Sequence, residues 1–124
     1  MTRHHALASA ALFAAAMIAS PAAAHDPKPQ HGGKIVVAGT YHVELVAKDR
    51  AVHVYLLDHA DKPVTAKGRK GVAILVIDGK STRILLESDD VRLSGQAPAS
   101  LPSSPKGVVQ ITEPSGGTVQ ARFN

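Results

Sequence analysis

Beyond residue 24 the sequence predicts an all-β fold, and three observations carry that reading. No segment sustains the 3.6-residue apolar period of a packed helix. Apolar and polar residues alternate with period two in several short runs, as a strand with one buried face requires. Turn signals built from Gly, Pro, Asp and Ser recur about every 8–12 residues. About seven to eight short strands in that rhythm point to an immunoglobulin-like β-sandwich spanning residues 34–124. The chain has no cysteine and no tryptophan, the usual marks of that fold, so the strand topology stays open.

The first 24 residues read as a secretory signal peptide. A short basic start, Thr2-Arg3-His4-His5, precedes an Ala-rich apolar run from Ala6 to Ala19. Ser20-Pro21 breaks the run, and Ala22-Ala23-Ala24 offers the small residues that a signal peptidase needs. The run is shorter than the roughly 20 apolar residues of a membrane span, so no stable membrane insertion is expected after cleavage. The Ala-rich signal favours a bacterial periplasm. Residues 25–33 follow as a polar, flexible N-terminal arm with Pro27 and Pro29, ending in the turn His31-Gly32-Gly33.

The strands follow in order. Lys34 to Ala38 is short and β-branched, and Gly39-Thr40 closes it. In Tyr41 to Lys48, Tyr41, Val43, Leu45 and Ala47 share one face, while His42, Glu44 and Val46 share the other. Val52 to Asp58 alternates in the same way. A two-residue turn at Asp49-Arg50 would set Leu45 opposite Val54 and Glu44 opposite Tyr55, which makes the aliphatic faces coincide. That pairing gives Glu44 a plain cross-strand neighbour. His59 to Gly71 reads as a basic loop. Val72 to Asp78 is the most apolar stretch and reads as a central strand, turned by Asp78-Gly79 into Ser81 to Glu87. Val91 to Leu93 is a short strand, residues 94–105 a long crossing loop, and Gly107 to Thr112 with Thr118 to Phe123 a last hairpin.

Composition narrows the function. Removing Arg3 from the 14 Lys and Arg leaves 13 against 10 Asp and Glu, about +3, too mild for a nucleic-acid surface. Only Tyr41, Tyr55 and Phe123 are aromatic beyond the signal, so few rings could stack on bases. Without cysteine there is no thiolate metal site and no thiol nucleophile. No nucleophile elbow, acid–base pair or phosphate loop stands out, and an enzyme is not expected.

The histidines carry the remaining signal. Five of the chain's seven follow the signal: His25, His31, His42, His53 and His59. Neutral imidazole is a preferred ligand for Cu(II), Zn(II) and Ni(II). No standard sequence spacing groups these residues, so a site must be assembled in space. If the first three strands run up, down and up, His31 and His53 fall at one end. His42 and His59 fall at the other, near Asp58 and Asp61. At about 3.3 Å per residue, the ends lie roughly 20 Å apart. Cleavage after Ala24 would also make His25 the N-terminal residue. Its amine, with an unperturbed pKa of about 8, and its imidazole would then chelate one copper ion as part of a histidine brace. Copper is the expected metal and zinc the alternative.

The stretch HGGKIVVAGTYHVELVAKDRAVHVYLLDHADKPV resembles small bacterial periplasmic proteins encoded with heavy-metal efflux systems. It also resembles the N-terminal β-domain of periplasmic adaptor subunits of heavy-metal RND efflux pumps. The likeness lies in His31-Gly32-Gly33, in Tyr41 to Val46, in Asp58-His59 with Lys62-Pro63-Val64, and more weakly in Val119 to Phe123. The family commonly has Gly where this chain has Arg50, and often a richer His arm. The resemblance implies a periplasmic copper- or heavy-metal-related β-domain that buffers metal or passes it to an efflux system. The rival expectation is a non-metal module that docks on an envelope or efflux partner.

Overall fold

The computed structural model describes residues 26–124; the expected signal peptide and His25 lie outside the described residues. Among the described residues the chain is all-β, with nine strands and no helix. No helix there is therefore long and apolar enough to cross a membrane. The strands are β1 (Lys34–Ala38), β2 (Tyr41–Lys48), β3 (Ala51–Leu57), β4 (Pro63–Val64) and β5 (Lys70–Ile77). They continue with β6 (Lys80–Ser88), β7 (Leu93–Gln96), β8 (Gly107–Thr112) and β9 (Thr118–Phe123).

All pairings are antiparallel and join one path, β1-β2-β3-β7-β6-β5-β8-β9, with β4 added beside β3. The two ends of the path, β1 and β9, lie side by side, and Lys34 Nζ donates to the carbonyl of Asn124. The sheet is thus nearly closed and barrel-like. The pairing shows this single path and does not confirm the two facing sheets expected of an immunoglobulin-like sandwich. The strand that joins the two halves is β6. Its Lys80–Leu86 part pairs with β5, while Glu87 and Ser88 at its end pair with β7, so one strand turns the corner between the two halves.

The core follows from the alternation. Val43, Leu45, Val52, Val54 and Leu56 from β2 and β3 meet Ala73, Leu75, Ile84, Leu86, Leu93, Val109, Ile111 and Phe123 in one buried cluster. The β2–β3 register places Leu45 opposite Val54 and Glu44 opposite Tyr55, as the coincidence of aliphatic faces demands. Asp49 accepts a positive φ of 56° in that turn, and the loop after β7 holds it: Leu101 N donates to Asp49 O, and Ala97 N to Arg50 O.

Several boundaries differ from the sequence expectation for local reasons. Asp78 leaves the strand because it and Gly79 both take positive φ in the hairpin turn. Asp58 ends β3, since its carboxylate accepts from the amides of Ala60 and Lys62. Asp89 does the same for Val91 and Arg92, so β7 begins only at Leu93 and extends into the expected crossing loop. Within the basic loop, Pro63–Val64 pairs with β3. Arg69 turns inward there, donating to Glu113 Oε2 at 2.9 Å and to Tyr41 Oη at 2.8 Å, while Tyr41 Oη donates to Glu113 at 3.1 Å. These bonds fasten the loop to the start of β2 and to the β8–β9 turn.

Candidate functional site

The site lies on the outer face of β2 and β3. Period two turns His42 and Glu44 of β2, and His53 and Tyr55 of β3, away from the core. A bare outer face would leave them in water. Instead His42 is 3% exposed and Glu44 is fully buried. The segment from Gln30 to Gly33 folds back over β2 and makes a clasp around Glu44. The amides of Gln30, His31 and Gly33 donate to its carboxylate at 2.9, 2.8 and 3.0 Å, and His31 Nδ1 lies 3.0 Å from Oε1. Both glycines are needed. Gly32 has a φ of 74°, and a Cβ on Gly33 would fall 2.3 Å from the carbonyl oxygen of Leu45.

Burial acts to raise the pKa of Glu44. The His31 side chain and the three amides outweigh it, so the carboxyl is held below its ordinary value. An ionised Glu44 fixes the Nδ1 proton of His31. The His31 ring then stacks on Tyr55, with centroids 3.6 Å apart and planes 6° from parallel. Arg92 Nη1 donates to the Tyr55 hydroxyl at 2.9 Å.

A second cluster sits at the β2 start and the loop after β3. His42 Nε2 is 3.2 Å from His59 Nδ1, and the rings meet edge to face. Behind His42, its Nδ1 faces Asp61 Oδ1 at 3.4 Å. Asp61 sits in left-handed backbone, φ 60°, which turns its side chain back toward the strand. A carboxylate on one ring nitrogen orients the imidazole, and the other nitrogen of His42 is the one turned to His59 Nδ1. Gln30 links the two clusters: its amide reaches Glu44, and its Nε2 donates to Asp61 O at 2.8 Å.

The expected histidines thus separate. His42 and His59 come together, with Asp61 beside them. His31 belongs to the Glu44 clasp. His53 turns to Ser94, with Nδ1 3.0 Å from Oγ, and burial, aided by Arg92 and opposed by Asp89, lowers its pKa. His25 lies outside the described residues. Compared with known proteins, the chain matches no family model, no curated protein and no solved structure. Its chemistry has to be read from its own geometry.

Among the described residues no group of three His, Asp or Glu side chains is placed to hold a metal ion. The His42–His59 pair supplies two donors. Metal–imidazole bonds of about 2.0–2.1 Å and nitrogens 3.2 Å apart give a nitrogen–metal–nitrogen angle of about 100°. That lies between square-planar and tetrahedral values, but the same contact is a hydrogen bond, so a metal ion there would have to displace the proton the two rings share. Sequence reasoning missed the clasp. Its signal is the turn Gln30-His31-Gly32-Gly33, whose backbone amides can cradle an anion, with a single carboxylate on the outer face of the strand that pairs with β1.

Proposed function

We propose that the chain is an exported periplasmic protein that binds a transition metal weakly through histidines. It buffers the metal or passes it to a heavy-metal RND efflux system. Copper is favoured over zinc, because the site lacks thiolates and an N-terminal His25 would add its amine as a donor. The supporting observation is the His42–His59 nitrogen pair, 3.2 Å apart and backed by Asp61. A site with few protein ligands and an exposed His59 suits a metal that must leave again.

The test is a copper titration of the chain beginning at His25, followed by calorimetry and EPR. His42→Ala and His59→Ala are each expected to remove the tightest binding step while the circular dichroism of the fold is kept. Asp61→Asn is expected to weaken it about 10–100-fold, as loss of an orienting carboxylate does. One added N-terminal Ala tests His25: binding lost in that form assigns the brace, and binding kept assigns the pair alone. Unchanged affinity in both His variants and in the extended form would overturn the reading.

A docking module is the second reading. It draws on Leu85, 68% exposed and opposite Val72 on the outer face of β5 and β6. A cleft of about 710 Å³ lies there, bordered by Lys70, Arg83 and Glu87. Under that reading Leu85→Asp abolishes a partner contact and leaves copper binding untouched.

A further inference from the structure

We infer that the Gln30–Gly33 clasp regulates the His42–His59 pair: clasp closure and metal binding at that pair are coupled. The inference rests on the metal reading above and concerns how that site is set.

A continuous chain of contacts carries it. Glu44 accepts the amides of Gln30, His31 and Gly33, which fixes the place of Gln30. From there Gln30 Nε2 donates to the backbone carbonyl of Asp61. Asp61 is in left-handed backbone, which Asp adopts more readily than most residues but still at a cost that its contacts offset. Two of those holding contacts are the bond from Gln30 and the bond from Asp61 N to Asp58 O. In this conformation the Asp61 carboxylate faces His42 Nδ1, and His42 Nε2 faces His59. Opening the clasp removes the Gln30 bond and leaves Asp61 one contact fewer to hold this conformation. The carboxylate then orients His42 less firmly. A metal that takes the place of the shared proton between His42 Nε2 and His59 Nδ1 therefore binds the closed form better than the open one. Neither Gln30 nor Glu44 need touch the metal for this to hold.

Linkage makes the inference testable in two directions. If closure raises metal affinity by some factor, saturating metal must oppose opening by the same factor. The probes are Cu(II) and Zn(II), with hydrogen exchange at the amides of Gln30, His31 and Gly33 read by mass spectrometry. Gln30→Ala deletes the bridge to Asp61 from an exposed position and leaves the Glu44 bonds to backbone amides in place. It is expected to weaken metal binding by about fivefold or more, the low end of ordinary coupling. In the unaltered chain, saturating metal is expected to slow exchange at the three amides. In Gln30→Ala that slowing disappears, although the clasp still forms. A merely structural role for Gln30 would leave the metal response of the amides unchanged. Wild-type binding that is equally tight in Gln30→Ala, with exchange indifferent to metal, would overturn the coupling and leave the metal reading standing. No binding by the wild-type chain would overturn the metal reading, and the coupling with it.

Discussion

His53 and Glu44 differ in how a polar side chain survives on a strand, and the difference is measurable in pH. Glu44 is stripped of water but receives three amides and an imidazole. His53 has Ser94 on one nitrogen and no carboxylate bonded to it among the described contacts. Burial and the Arg92 guanidinium therefore disfavour its charged form, while Asp89 works in the other direction. The folded chain binds this proton less readily than the unfolded chain. The stability linked to His53 is then fully present above the ordinary imidazole pKa of about 6.5 and is lost as pH falls through the depressed folded value. An NMR titration of the His53 ring should place its midpoint below that of an exposed imidazole. Arg92→Ala should raise the midpoint, and Asp89→Asn should lower it further. A midpoint that moves up in Asp89→Asn would contradict the assigned charges.

At the scale of an element, the clasp makes a sharper demand. The turn before β1 needs Gly33 because β2 passes too close for any side chain, with the Leu45 carbonyl 2.3 Å from where a Cβ would lie. Gly33→Ala should push the segment off β2, break the Gly33 bond to Glu44 and leave a buried carboxylate short of donors. The expected loss is about 2–3 kcal/mol in urea denaturation. A variant as stable as the parent would show that the segment seats in some other way. This element also shows what a sequence can disclose. The β2–β3 register was legible because both strands carry a continuous aliphatic face and only one pairing buries both. The nearness of His42 and His59 followed from the same pairing. The burial of Glu44 was not legible, because period two assigns it to the outer face and says nothing of a segment that returns to cover it. The two-residue β4 was missed for a related reason: Pro63 and Val64 pair with β3 through a loop closure that leaves no periodic trace. The corner made by β6 was likewise hidden. Its nine residues alternate evenly, and the change of partner from β5 to β7 depends on distant strands.

Closure of the whole molecule depends on its last strand. β9 pairs with β8 along its length and lies beside β1, so it stands at the seam where the path returns to its start. Phe123 is the largest of its fully buried side chains, at 1% exposure, and it anchors the strand in the common core. With no disulfide to hold the ends, apolar burial has to keep β9 in place. Phe123→Ala should therefore cost about 3–5 kcal/mol, from lost transfer energy and the cavity left behind. For a domain whose total stability is on the order of 5–15 kcal/mol, that is a large share. The loss should also be uneven. Hydrogen exchange should quicken first in β9 and in β1 across the seam, while β5, paired on both sides by β6 and β8, stays protected longest. Uniform quickening over all strands would mean that the molecule opens only as one unit, with no weak seam between β1 and β9.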